Sequence, residues 1–164
     1  ARDFPTPMNA LFGRQSRLTR IFPDNYFAKK YLRLEDLDRQ EPYEVDWVSA
    51  AFMMIRKDTL IAVDGMDEDY FVYWVDADLC RRTRNLGKNV FCVPGAKVVH
   101  MEQNRAGVRK NPKMIVDFHM GAFRYYMKHH CNGIRFFFAA GAFAGLTIRC
   151  ALKLIGNHLK TRAR

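Results

Sequence analysis

Residues 67–82 read DEDYFVYWVDADLCRR. An aromatic, extended approach (Tyr70–Trp74) runs into a segment in which Leu79, Arg82 and Leu86 recur at helical spacing. Gly87 stands where a left-handed cap would close that helix. Upstream, WVSAAFMMIR (47–56) is a nearly continuous apolar run of strand length, expected to be buried on both faces. KDTLIAVDGMD (57–67) reads as a short helix ending in a turn at Asp64-Gly65. Downstream, NVFCVPGAKVVH (89–100) reads as a strand, a Pro94-Gly95 turn and a second strand ending at His100. After a polar, glycine-containing loop, residues 114–130 are again helical. Helix and strand signals alternate, so the fold class is α/β or mixed.

The 164 residues, 49% hydrophobic and 27% charged, suit one globular domain with a real core and exclude a disordered chain. No repeat of 20–50 residues is visible, which excludes solenoids and propellers. Cys80, Cys92, Cys131 and Cys150 form no C-x-x-C pair, so zinc-finger spacings are out and reduced thiols in a cytosolic setting are expected. The first residues lack an apolar signal core and an initiator Met, so we expect no signal peptide and a start part-way through a longer product. Prolines 5, 7 and 23 break the basic residues 1–33 into pieces, with a weak helical stripe over Leu11, Phe12, Leu18, Ile21 and Phe22. Residues 34–46 read as an acidic surface connector.

The net charge of +10 is unevenly placed. Residues 118–164 carry eight Lys/Arg and no Asp or Glu, which leaves residues 1–117 at only +2. We therefore divide the chain into a nearly neutral body, 1–117, and a basic, apolar helical tail, 118–164. Within the tail, FFFAAGAFAGLTI (136–148) has 13 residues without a charge, short of the roughly 20 needed to cross a bilayer alone. A basic segment rich in Phe and Leu suits a helix lying in an anionic membrane surface, and equally a C-terminal helix docked on the body. Nucleic acid is not expected as a partner, because the cations are interleaved with Phe and Ala.

Among residues that could carry chemistry, Asp76 and Asp78 lie where the helix begins. Side chains at i and i+2 of a helix diverge, so the two cannot face one reacting atom together. One can work in a site while the other caps the helix, and both could be helix-start residues alone. The literal D-x-D of Asp76-Ala77-Asp78 is not the metal-binding motif of nucleotide-sugar enzymes, since it continues as a helix rather than opening into a loop. His100, at a strand end, is the best metal-ligand candidate, although a lone His there is usually just hydrogen-bonded. Trp47 and Trp74 could stack on a sugar ring, although aromatic residues in apolar runs more often belong to the core. No P-loop, H-E-x-x-H, G-x-G-x-x-G or nucleophile elbow occurs.

In this order, V-D-W-V-S (45–49), I-R-K (55–57), G-M-D-E (65–68), the acidic motif with its helix, and V-P-G-A-K-V-V-H (93–100) resemble the second half of the catalytic domain of family-2 glycosyltransferases. The likeness is to the bacterial rhamnosyltransferase-like enzymes of cell-surface polysaccharide synthesis, and it covers most of residues 1–130. It implies a partial, acceptor-side GT-A-like fold and inverting transfer of a sugar from a nucleotide-sugar donor to a saccharide or lipid-linked acceptor. The family's base falls on Asp76, with Asp78 left to support it from behind or to cap the helix. Asp46 and Trp47 fall on the acceptor side, and His100 falls on a residue that helps hold a divalent metal (Mg2+ or Mn2+), expected with the donor half. The pattern's Glu before the base is Val75 here, and its Gly after V-D-W-V-S is Ala50. The basic, apolar tail would keep such an enzyme in the cytoplasm, peripheral to the inner face of the cell membrane, where such acceptors sit. The rival reading is a non-catalytic, membrane-associated binding module derived from the same fold. Donor sugar, acceptor, linkage and oligomeric state are not legible.

Overall fold

The computed structural model describes residues 1–6, 26–36, 38–99 and 110–160. The expected helical stripe from Leu11 to Phe22 lies outside the described residues, as does His100. The chain packs as two units, Ala1–Asp67 with Asp76–His100, and Glu68–Val75 with Met101–Arg164. The change in charge after residue 117 falls inside the second of these units.

The first unit holds a two-stranded antiparallel sheet. Strand β1 (Tyr43–Val45) pairs with β2 (Val90–Cys92) in the register Tyr43↔Cys92, Glu44↔Phe91 and Val45↔Val90. Val45 is buried while Glu44 faces out and pairs with Arg84, the alternation that a half-covered strand imposes. Helix α1 (Tyr26–Leu32) closes at Arg33, whose φ is 50°, and leads into a 3-10 turn, Leu34–Asp36. There the buried Asp36 receives Arg33 Nε at 2.6 Å and Arg39 Nε at 2.5 Å, two guanidinium partners for one desolvated carboxylate. The stretch expected to be a solvated connector thus supplies both a strand and a buried ion.

Helix α2 (Lys57–Ala62) ends as expected, with Asp64 and Gly65 at φ 57° and 66°. Helix α3 (Val75–Asn85) buries Ala77, Asp78, Leu79, Cys80 and Thr83. Its end is a Schellman cap. Gly87, at φ 72°, donates to Arg84 O and Lys88 N donates to Thr83 O.

Two expected strands do not form. Residues 47–56 contribute a single bridge, Arg2 to Trp47, after which the chain turns, with Phe52 N donating to Ser49 O. A strand needs a ladder partner along its length, and among the described residues only Arg2 offers one. Past the buried Trp47 the run is mostly open to solvent, with Met54 93% exposed. The run Val98–Val99 likewise has no partner strand among the described residues, and both side chains are exposed.

The second unit is an antiparallel helical hairpin. Helix α4 (Pro112–His129) starts with Pro112 at its first position and Asn111 as N-cap, whose side chain accepts from Lys113 N at 2.9 Å. A 3-10 turn (Gly133–Phe138) joins it to α5 (Ala139–His158). At the far end the buried Asn157 amide is used twice, accepting from Lys110 N at 2.7 Å and donating to Lys110 O at 2.8 Å. Between the helices Phe123 and Phe143 meet edge to face, 5.1 Å between centroids. Segment 68–75 lies along α4. Trp74, at φ 77°, donates its indole N–H to Phe118 O at 2.9 Å and packs at 5.5 Å from Tyr125. Gly121 lets it come that close, since a Cβ there would sit 2.8 Å from Trp74 Cδ1.

Helix α5 extends ten residues beyond the charge-free stretch 136–148. The segment Phe136–His158, 23 residues with Arg149 and Lys153 inside it, is long and apolar enough to cross a membrane by length and composition.

Candidate functional site

The first turn of α3 separates the two carboxylates. Asp78 points inward, is fully buried, and accepts from Arg82 Nε at 2.7 Å one turn along the helix. The other arm of Arg82 donates to Val63 O at the end of α2, so this pair joins two helices. Asp78 therefore neutralises an arginine inside the unit.

Asp76 points elsewhere and keeps a solvent face. Its Oδ1 accepts from Ala77 N at 2.9 Å, and its Oδ2 accepts from Ala50 N at 3.3 Å. The second bond is long, so Oδ2 retains capacity for a better donor. Ala50 lies in an exposed turn, Ser49–Phe52, steadied by Ser49 Oγ accepting from Ala51 N at 3.3 Å. One helical turn after Asp76, the buried Cys80 thiol accepts from Val48 N, so the same loop is held on α3 at two points. Burial first, and then the Asp76 charge, push that thiol up to about 11. A thiol held that high is protonated at neutral pH. The arrangement is a half-exposed carboxylate beside an open loop, able to receive a proton from a hydroxyl presented there.

Asp46 and Trp47 are held by the N-terminal segment. Asp46 Oδ2 accepts from Phe4 N at 2.6 Å, and the buried Trp47 donates its indole N–H to Asp3 O at 2.8 Å. Arg2 lies over the Trp47 ring at 5.0 Å. Among the described contacts neither side chain touches Asp76, although Trp47 leads directly into the loop that does. Among the described residues no three His, Cys, Asp or Glu side chains stand together as a metal site. The expected divalent ion finds no ligand set among them.

Sequence reasoning missed the partners that tell the two aspartates apart. Arg82 four residues after Asp78 was the available signal, since i,i+4 acid–base pairs meet on a helix face. The Ala50 and Val48 amides carry no side-chain signature.

No family model matches the chain, and no solved structure matches it. Among curated proteins it is 33% identical over 86 residues to rhamnosyltransferase WbbL of Escherichia coli (strain K12), covering 51% of this chain and 28% of that protein. It is 31% identical over 109 residues to the N-acetylglucosaminyl-diphospho-decaprenol L-rhamnosyltransferase of Mycobacterium tuberculosis (strain ATCC 25618 / H37Rv), covering 65% of this chain and 34% of that protein. The same enzyme from strain CDC 1551 / Oshkosh matches to the same extent. The chain thus spans about a third of the length of the curated relatives it matches. Over 51–65% of its own length it is similar to rhamnosyltransferases.

Proposed function

We propose that this chain is the acceptor-side half of an inverting, nucleotide-sugar-dependent glycosyltransferase of GT-A-like fold, with Asp76 as its general base. The observation that carries the reading is the division of the two aspartates. Asp78 is committed to Arg82, while Asp76, at the matching position of the family motif, is half-exposed beside the Ala50 loop. Asp76 takes the proton of an acceptor hydroxyl as that oxygen attacks the anomeric carbon. The bond from that carbon to the nucleoside diphosphate breaks with its electron pair leaving on the diphosphate, and the anomeric configuration inverts. Holding the acceptor oxygen near both the base and the donor supplies the rest of the acceleration.

The names of the relatives support rhamnose as the sugar and a lipid-linked saccharide as the acceptor. Asp46 and Trp47 serve the acceptor side by fastening segment 2–4 to the residues that precede the loop. The divalent ion (Mg2+ or Mn2+) belongs with the donor diphosphate, and His100 is this chain's contribution to it. Reaction at the inner face of the cell membrane follows from a cytoplasmic nucleotide sugar meeting a lipid-linked acceptor.

The test supplies the complete enzyme with nucleoside-diphosphate rhamnose and a polyprenyl-diphosphate N-acetylglucosamine, followed by mass spectrometry of the lipid. The expected result is a product heavier by one deoxyhexose. Donor hydrolysis without a glycosylated lipid would remove the acceptor assignment, and an inert donor would remove the enzyme.

A further inference from the structure

The outer side of α5 is unpartnered among the described residues. In steps of 100° per residue, Gly141, Ala144, Gly145, Ile148, Ala151, Leu152, Ile155 and Leu159 fall within roughly 60° of one line. Every residue on that line is apolar. Ile148, Leu152, Ile155 and Leu159 are all more than half exposed, and the line continues from Phe136–Phe138, where Phe137 is 81% exposed. The opposite side is taken by α4, through Phe143 on Phe123 and Asn157 on Lys110. Arg149 and Lys153 stand off the apolar line and act on His119 of α4. From residue 118 to residue 160 every charged side chain is a cation, six Lys/Arg without an acid.

We infer that the α4–α5 hairpin docks on an anionic lipid bilayer, with α5 lying in the plane of the headgroups and its Ile148–Leu159 line turned into the acyl boundary. Charge complementarity selects this occupant. A second copy of the chain would bring cations against cations, with no acid between 118 and 160 to answer them. An anionic leaflet meets both the apolar line and its basic flanks. In-plane placement follows from Arg149 and Lys153. A crossing helix would carry both into the hydrocarbon, where a cation is costly, whereas in the plane their heads reach water or phosphate. This inference is independent of the transfer chemistry.

The test mixes the full chain with vesicles of equal parts phosphatidylglycerol and phosphatidylcholine, and with phosphatidylcholine alone, then sediments them. Expected are binding to the anionic vesicles only, release by high salt or alkaline carbonate, and a roughly tenfold or greater loss of binding in Ile148→Glu/Ile155→Glu. Both side chains are solvent-exposed, so the variant's helical circular dichroism is expected to be unchanged. The lipid and salt arms need no variant. Equal binding to both vesicle types, no binding, or retention through carbonate would each overturn the inference. A lipid-free dimer that the double variant dissociates would assign the face to self-association instead, and binding to DNA but not to vesicles would assign it to nucleic acid.

Discussion

Asp76 and Asp78 begin one helix two residues apart and meet opposite surroundings. Asp78 is sealed against Arg82 at 2.7 Å, while Asp76 leans on the Ala50 amide at 3.3 Å with a face to solvent. The helical period alone turns them apart, and the partners then assign one to structure and leave the other open to chemistry.

The structural half of that division is measurable by itself. Asp78→Ala leaves Arg82 with the Val63 carbonyl but no counter-charge. Losing one member of a buried pair typically costs 3–5 kcal/mol, and because Arg82 keeps 18% exposure we expect about 3 kcal/mol. Urea unfolding of the variant checks it, and a loss under about 1 kcal/mol would mean that the pair is idle.

Gly121 is a packing position inside α4. Alanine is normally better than glycine in a helix by about 1 kcal/mol. Here the new Cβ would meet Trp74 Cδ1 at 2.8 Å and Tyr73 O at 3.4 Å, and Trp74 is tied by its bond to Phe118 O. Overpacking of this kind costs about 1–3 kcal/mol, so Gly121→Ala should lower stability by about 1 kcal/mol net. A higher Tm in the variant would contradict the close approach.

His119 makes the hairpin sensitive to acid. Its Nδ1–H donates to Ile115 O at 2.7 Å and its Nε2 is buried without a hydrogen-bond partner. Burial, with Arg149 and Lys153 nearby, pushes its pKa below the usual 6.5. The unfolded chain therefore takes up the proton first, so stability is complete above about pH 6.5 and falls as the pH drops toward the folded value. Thermal unfolding between neutral pH and pH 5 should show this decline, and His119→Gln should flatten it. An unchanged slope in the variant would place the acid sensitivity elsewhere.

Local signals were the legible part of the fold. The turn at Asp64-Gly65, the helix over Val75–Asn85, its Gly87 cap and the helix from Pro112 all follow from residues close in sequence, where propensity and periodicity act directly. What failed depended on partners. WVSAAFMMIR has a strand's composition, yet pairing is a long-range property, and among the described residues only Arg2 pairs with it. Tyr43–Val45 looked like solvated connector because its β2 partner lies some 45 residues away. At the site, Asp76 was legible from the motif order, whereas the amides of Ala50 and Val48 were not, since backbone donors leave no trace in residue identity.

As proposed, Asp76 removes the acceptor's proton. Asp76→Asn keeps an oxygen for the Ala50 amide but cannot act as the base. In the complete enzyme we expect unchanged circular dichroism and Tm, with transfer to the acceptor falling about 100- to 10,000-fold. Turnover close to the unmodified enzyme, in a variant that folds normally, would contradict the account.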